Sequence, residues 1–341
     1  MLNFSQTILQ IVDKIEIEQN FIVRHPDYPP LELEPDLITR LERISPQLQA
    51  KYLAIQVQNY LYNIYFSHSV MSTQELDIVA KQPTTIKNNI INGIDIDLCL
   101  RLQQSNTSNG YIDPDWQVVA ETKDELIVVK DGLHLHIERQ QHLPKLSQSG
   151  IGDTIPIYLP HNLVGQDTYI IIGNLGSPDR AKSVEIYFNF TPNAAVAIAQ
   201  KLTSELNRLG IPFQFAILHD PALFYRYDAG TLWLPQTGYI AVFTVLVAIC
   251  QAHQADFSPD VPLFTQHLAP GLGIAEVPNT PGSFGMQRCQ LLATGLLTAM
   301  KQGKTLTNDK LDTIRKEFAT AGIDWMQPDL HPSASDGDIV E

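Results

Sequence analysis

Cysteine is scarce in this sequence, whose 341 residues include only Cys99, Cys250 and Cys289. The three cysteines are odd in number and show no CxxC spacing. This pattern argues against both a disulfide framework and a structural zinc site. Each cysteine falls within an apolar helical pattern, so we expect three small core residues rather than reactive thiols.

Positive charge is also in short supply. The chain has 23 Lys and Arg against 37 Asp and Glu, which gives a formal net charge of −14. A surface this acidic is a poor match for nucleic acid or for an anionic membrane. Any site for an anion must therefore be local, built from a few cationic side chains and backbone N–H groups.

Long hydrophobic runs are missing. The most apolar stretch, "YIAVFTVLVAICQAH", is shorter than the ~20 residues of a membrane span. It predicts a buried helix over 237–253. The first residues, "MLNFSQTILQIVDKIEIEQN", have no basic region ahead of an apolar core, unlike a secretory signal. These features predict a cytoplasmic protein.

Several catalytic signatures are absent as well. The sequence has no GxSxG elbow, HExxH pair, dinucleotide-binding glycine fingerprint or kinase signature. Acyl transfer, zinc proteolysis and nicotinamide chemistry therefore have no support in the sequence.

The first part of the chain, residues 1–110, has a mainly helical pattern. Ser45 and Pro46 stand at the N-cap and first position of a helix whose apolar face should be buried. The proline-rich "RHPDYPPLELEP" predicts an extended connector, and the turn-rich "SNTSNG" marks a domain boundary at 110.

Residues 111–325 predict a second unit. "WQVVAE", "ELIVVK" and "LHLHIER" alternate with period two and predict an antiparallel meander. Thr191, Pro192 and Gly210 mark the start and end of a clear helix, and two more helices are expected at 284–301 and 307–320. Residues 326–341 predict a disordered acidic tail. The fold class is therefore α+β, with a helical N-terminal part and a mostly antiparallel sheet flanked by helices.

The stretch "APGLGIAEVPNTPGSFGMQRC", residues 269–289, is the first candidate site. Ser283 is a plausible N-cap, Gly285 allows close backbone approach, and Arg288 follows in the second turn. A helix N-terminus with an arginine suits phosphate or carboxylate. Alternatively, the glycines only turn the chain and Arg288 pairs with an internal acid.

A second candidate is "FYRYDAGTLWL", where Arg226 and Asp228 alternate at the start of a predicted strand. In one interpretation the two side chains bind each other and stabilise a turn. In the other, Asp228 orients Arg226 towards a ligand. The sequence favours neither alternative.

Histidines form a third group. His134 and His136 share a strand face, but no partner stands at a metal-binding distance, so a solvated face is expected. His161 and His219 lie where strands enter loops, which makes them acid/base candidates.

Four segments in order resemble the HopA-type type III effector family: "VEIYFNFTPNAAVAIAQKLTSELNRLGIPFQF", "YRYDAGTLWL", "VPLFTQHLAPGLGIAEVP" and "SFGMQRCQLLATGLL". The resemblance covers roughly 150–300. It implies a fold related to the phosphothreonine lyases. Some bacterial relatives work in peptide natural-product pathways, such as lanthipeptide biosynthesis, where a companion kinase phosphorylates Ser or Thr and the lyase eliminates the phosphate.

The resemblance also implies roles for particular residues. Arg226 and Arg288 would bind the phosphate, and Asp228 would orient an arginine. Ser283 and Gly285 would contribute backbone N–H donors. A lysine that the family commonly carries is replaced here by Ala216. His161 is then the candidate acid or base, and Lys182 the candidate for the missing amine. The reaction needs no metal or organic cofactor.

Loss of that lysine leaves a second interpretation open. The chain would keep the fold but act as a non-catalytic module that binds a peptide or a protein partner. Neither interpretation involves nucleic acid or a membrane, and the sequence does not fix the oligomeric state.

Overall fold

The structure is a computed structural model that describes residues 4–18, 21–80, 90–91, 94–144, 149–278 and 282–331. Within these residues it has ten α-helices: α1 (Phe4–Lys14), α2 (Pro35–Leu41), α3 (Pro46–Leu61), α4 (Thr73–Ala80), α5 (Ile96–Ser105), α6 (Arg139–His142), α7 (Pro192–Leu209), α8 (Tyr239–Ala252), α9 (Phe284–Lys301) and α10 (Thr307–Thr320).

Sixteen strands lie in the same described residues. They are β1 (Glu16–Ile17), β2 (Val23–His25), β3 (Tyr28–Leu31), β4 (Ile90–Ile91), β5 (Ile94–Asp95), β6 (Tyr111–Glu121), β7 (Glu125–Lys130), β8 (Leu133–Glu138), β9 (Thr154–Leu159), β10 (Asn162–Val164), β11 (Thr168–Ile172), β12 (Ser183–Phe188), β13 (Gln214–Leu218), β14 (Gly230–Pro235), β15 (Gln266–Ala269) and β16 (Leu272–Glu276).

The strands form four sheets. The largest has seven strands in the order β10-β11-β13-β14-β12-β16-β15, and every neighbouring pair is antiparallel. A four-stranded sheet has the order β8-β7-β6-β9, and two small sheets are formed by β1-β2-β3 and β4-β5. The α+β class and the antiparallel meander predicted from the sequence are confirmed.

The seven-stranded sheet lies between two layers of helices. On β12, Val184, Ile186 and Phe188 point into a core shared with α5, α7 and α8. Tyr187 points the other way, into a core shared with α1, α3, α9 and α10. This alternation follows from the period of two along a strand. Because both faces are covered, all six residues of β12 are buried.

Local capping explains why the main helices begin and end where they do. The Thr191 side chain accepts from the N–H of Ala194, Pro192 occupies the first turn, and Gly210 ends α7 in the left-handed conformation. The Ser45 side chain caps α3 by accepting from the Leu48 N–H. These starts and stops are as predicted, as are the bounds of α9 and α10 within a residue.

The N-terminal region departs from the prediction in two ways. The stretch expected as a connector, residues 24–35, includes the end of β2 and all of β3, and the two strands pair with each other. On the apolar face of α3 that was expected to be buried, Leu48 and Ile55 are exposed. Other α3 residues, Leu53, Val57 and Leu61, are buried in the core shared with α9. The core that includes α1 and α3 also includes α9 and α10, so packing crosses the domain boundary predicted at 110.

Two predictions for the C-terminal half also need correction. Helix α8 was expected to be buried, but Ile240 is 79% exposed and Phe243 41% exposed. Residues 326–331, predicted as the start of a disordered tail, pack onto α9 through hydrogen bonds to Arg288. The remainder of the predicted tail, 332–341, lies outside the described residues. Among the described helices, none is both long and apolar enough to cross a membrane.

Candidate functional site

Arg226 and Asp228 bind each other in a loop that precedes β14. Nε of Arg226 donates to Oδ1 of Asp228 at 2.8 Å, and a terminal guanidinium nitrogen donates to Oδ2 at 2.9 Å. Burial lowers the pKa of Arg226, but the hydrogen bonds and charge of Asp228 outweigh it, so its pKa is raised. The pair lies in a loop rather than on the predicted strand start, because β14 begins only at Gly230.

Arg288 is enclosed by its own chain. It lies on α9, is 2% exposed, and its guanidinium stacks on the Phe284 ring at 4.8 Å. Nε donates to the Pro328 carbonyl oxygen at 2.7 Å, and a terminal nitrogen donates to the Leu330 carbonyl oxygen at 2.8 Å. Burial lowers the pKa of Arg288 to about 10, although the nearby charges of Asp329 and Glu276 oppose this. The guanidinium fastens the 328–330 backbone to α9.

The start of α9 is closely packed. Ser283 is its N-cap, and the hydroxyl accepts from the Met286 N–H at 3.2 Å, as predicted. A Cβ added to Gly285 would lie 2.5 Å from the Phe66 ring. The glycine is therefore needed so that Phe66 can approach the helix, which is a packing reason independent of any anion.

His161 and Lys182 lie in different parts of the large sheet. His161 occupies the turn before β10, and burial lowers the pKa of its imidazole. Lys182 is exposed at the end of a short 3-10 turn before β12. The strands that they precede are four positions apart in the sheet, or ~19 Å at the usual strand spacing.

The predicted site residues thus fall into separate groups. Ser283, Gly285 and Arg288 share the first two turns of α9, and Arg226 with Asp228 form a second group. Tyr62 lies near the second group: burial raises the pKa of its phenol, the charge of Asp228 adds to the rise, and Arg226 opposes it. His134 and His136 are exposed on β8, as expected for a solvated face.

A buried carboxylate network went unpredicted. Glu185 of β12 is 2% exposed and accepts from the Trp233 indole at 2.8 Å, from Arg180 at 3.3 Å and from the Tyr187 hydroxyl. Arg180 also lies 5.3 Å from the Trp233 ring centroid. The sequence signal was a lone Glu inside the apolar strand "SVEIYF". Arg180 and Tyr187 lie within five residues of Glu185, but Trp233 comes from β14, 48 residues further along the chain.

A second unpredicted group surrounds His68. This residue has a φ of +54°, is 7% exposed, and its Nε2 lies 3.1 Å from the Glu75 carboxylate. Its ring stacks on Tyr227 with 4.6 Å between centroids. The Nδ1 atom has no hydrogen-bond partner among the described residues. The group is joined to the Arg226 loop, because the Tyr225 hydroxyl donates to the Ser69 carbonyl at 3.2 Å.

Metal binding has no assembled candidate in the described ranges, where no three His, Cys, Asp or Glu side chains form a group that could hold an ion. His219, the other loop-end histidine, donates from Nε2 to the Gln166 carbonyl oxygen at 3.1 Å. It is 3% exposed and directly follows β13.

These features describe an α+β protein with an antiparallel sheet covered on both faces, in which Arg226 of a loop and Arg288 of α9 are bound by groups of their own chain. The model of the HopA1 effector protein family matches residues 159–330, just over half of the chain. The chain belongs to the HopA1 effector protein family.

Two solved structures are similar to this chain. One is an effector protein from Pseudomonas syringae pv. tomato strain DC3000, with 13% identity, a TM-score of 0.44, and coverage of 86% of this chain and 93% of that one. The other is an effector protein from Pseudomonas syringae pv. syringae strain 61, with 12% identity, a TM-score of 0.44, and coverage of 85% and 99%. No curated protein matches the chain.

Proposed function

We propose that this protein is a non-catalytic member of the HopA1 family that binds a peptide or a protein partner. The observation that carries the proposal is the state of the two arginines expected to bind phosphate. Arg226 is held by Asp228 through two hydrogen bonds, and Arg288 by two backbone carbonyl groups. A dianionic phosphate needs several accessible cations. Asp228 compensates the charge of Arg226, and Arg288 is buried at 2% exposure.

Elimination of phosphate from a phosphopeptide makes further demands. A base must remove the Cα proton while the Cβ–O bond breaks and the phosphate leaves, and cations must take up the developing charge. Lys182 is exposed to solvent, and Arg288 is only 2% exposed, so it would have to leave its enclosed position to bind a phosphate. Its departure would also leave the buried carbonyl group of Pro328 and the partly buried one of Leu330 without donors.

A phospho-Ser/Thr lyase is the second candidate, and one observation favours it. Tyr225 and Tyr227, on either side of Arg226, contact the ring of His68, whose Nδ1 has no partner among the described residues. An imidazole oriented by Glu75 is a suitable base. If Asp228 released Arg226, a phosphate ligand and a base would lie in adjoining segments. A companion kinase in a peptide natural-product pathway would then supply the substrate.

We further propose that the protein acts in the cytoplasm. Three cysteines without disulfides suit the reducing cytoplasm, where the partner would be met. Neither candidate function uses a metal or an organic cofactor. In both, the molecule that this protein binds or acts on is a peptide or a protein.

The two candidates are separated by mass spectrometry. Phosphoserine and phosphothreonine peptides are incubated with the purified protein, with His68→Ala and Arg226→Ala, and with a control variant, Arg315→Ala, changed at an exposed site. The proposal expects no peptide to lose phosphoric acid with any of the four proteins. Loss with the unmodified protein and the control, but not with His68→Ala or Arg226→Ala, would replace it with the lyase.

A further inference from the structure

A groove of about 660 Å³ lies beside the His68 group. Three tyrosines, Tyr28, Tyr65 and Tyr227, contribute aromatic surface, and Ile64 and Leu263 contribute apolar surface. All three tyrosines are half-buried. The volume is in the range of small-ligand and side-chain binding sites. Neither Arg226 nor Arg288 lines this groove, so it is separate from the predicted phosphate ligands.

Two residues at or beside the groove have a left-handed backbone conformation. Phe264, in its wall, has a φ of +74°, and His68, which stacks on Tyr227 behind the wall, has a φ of +54°. Bulky side chains rarely adopt this left-handed region, which costs on the order of 1–3 kcal/mol and is concentrated at functional sites. The strain is maintained by packing: Phe264 contacts the Phe4 ring at 5.7 Å between centroids.

Besides the three tyrosines, the ionisable side chains that line the groove are Asp260 and His267. Asp260 lines it, is exposed, and forms no ion pair in the described part of the chain. Burial raises the pKa of Tyr28 to about 12, with added effects from Glu75, Asp27 and Asp260. The nearby Lys14 is bound to Asp27 at 2.6 Å, so its charge is compensated.

We propose that this groove binds a basic side chain, Lys or Arg, of the partner peptide or protein. Tyrosine rings attract a cation placed over their faces, and the unpaired carboxylate of Asp260 supplies the counter-charge at the open side. A phosphate group would meet the same carboxylate and be repelled. The inference rests on the proposed function, because it specifies the class of partner.

Fluorescence anisotropy tests the inference with a labelled nonapeptide of Gly and Ser around a central Leu-Lys-Leu. Matched peptides carry acetyl-lysine or Glu in place of the Lys. The lysine peptide should bind at least about fivefold more tightly than either. Asp260→Asn should weaken lysine-peptide binding by a similar factor, whereas Asp124→Asn, which also removes one exposed Asp carboxylate, should not.

Three outcomes would overturn the inference: no binding of the lysine peptide, equal binding of the acetyl-lysine peptide, or equal effects of the Asp260 and Asp124 variants. Displacement of the peptide by an equal concentration of n-butylamine would do the same, because it would indicate a site for free amines. Failure here is separable from failure of the proposed function. If mass spectrometry detected phosphate elimination, the proposed non-catalytic function would be refuted, but selective binding of the lysine peptide would still stand.

Discussion

The guanidinium of Arg226 and the carboxylate of Asp228 face each other across two hydrogen bonds of 2.8 Å and 2.9 Å. Both side chains are mostly buried, at 20% and 9% exposure, and only one residue separates them in the chain. A paired, partly desolvated arginine has its charge compensated before any ligand arrives. This pairing supports the proposal of a binding protein rather than that of an enzyme that binds phosphate through Arg226.

The role of Arg288 in fastening the 328–330 segment can be measured by its removal. Arg288→Ala should lower the free energy of unfolding by about 3 kcal/mol, because it leaves the buried carbonyl oxygen of Pro328 and the partly buried one of Leu330 without donors. Urea denaturation followed by circular dichroism gives the value. Arg315→Ala is the control: Arg315 is 53% exposed and should cost less than about 1 kcal/mol. Equal losses would contradict the fastening role.

Gly285 is expected to be intolerant of even one methyl group. Gly285→Ala should lower the free energy of unfolding by about 1–3 kcal/mol, because the new Cβ would lie 2.5 Å from the Phe66 ring. Alanine's better helix propensity, worth about 1 kcal/mol, opposes this loss. In a Phe66→Leu background the same change should cost less. An identical cost in both backgrounds would show that Phe66 is not the cause.

Two substitutions of Glu185 should differ in how much they lower the free energy of unfolding. Glu185→Ala leaves the Trp233 indole and the Tyr187 hydroxyl without a buried acceptor, so we expect a loss of about 3 kcal/mol. Glu185→Gln keeps an acceptor oxygen and should lose less. Denaturation monitored by tryptophan fluorescence tests both. If the two variants were equally stable, the carboxylate would not be organising these strands.

The His68–Glu75 contact predicts a dependence on pH. Burial raises the pKa of Glu75, but hydrogen bonds from Ser72 and His68 outweigh it, so the folded pKa lies below the ordinary 4.5. The carboxylate therefore contributes stability that is present above pH 4.5 and is lost as the pH falls through the folded pKa. Because Glu75 is 43% exposed, the contribution should stay below about 1 kcal/mol.

A comparison with Glu75→Gln isolates this contribution from the other acids of the chain. The free energy of unfolding is measured for both proteins from pH 6 to pH 3 by urea denaturation. The difference between them should shrink as the pH falls. A difference that is constant over this range would mean that the Glu75 charge does not stabilise the fold.

The parts of the fold predicted from sequence are those fixed by neighbouring residues. Thr191, Pro192 and Gly210 define α7 through hydrogen bonds and backbone geometry within a few residues of each end. The same applies to α9, which Ser283 begins. The alternation within the β6–β8 meander likewise depends on adjacent residues and short turns.

The candidate site was much less predictable, because its contacts join distant segments. Arg288 binds carbonyl groups 40 and 42 residues further along the chain. His68 stacks on Tyr227, and the order of the seven strands depends on crossovers that no local pattern specifies. Arg226 and Asp228 are the exception. Their closeness in sequence suggested a pair, but whether they would bind each other or a ligand depended on the surrounding burial.

The most direct test compares a phosphothreonine peptide with its threonine counterpart. Anisotropy titrations measure the affinity of each for the protein and for Arg226→Ala. Because Asp228 already compensates the charge of Arg226, we expect that phosphorylation does not tighten binding and that Arg226→Ala does not change one affinity more than the other. A phosphopeptide affinity at least about tenfold tighter, lost in Arg226→Ala, would contradict it and identify Arg226 as a phosphate ligand.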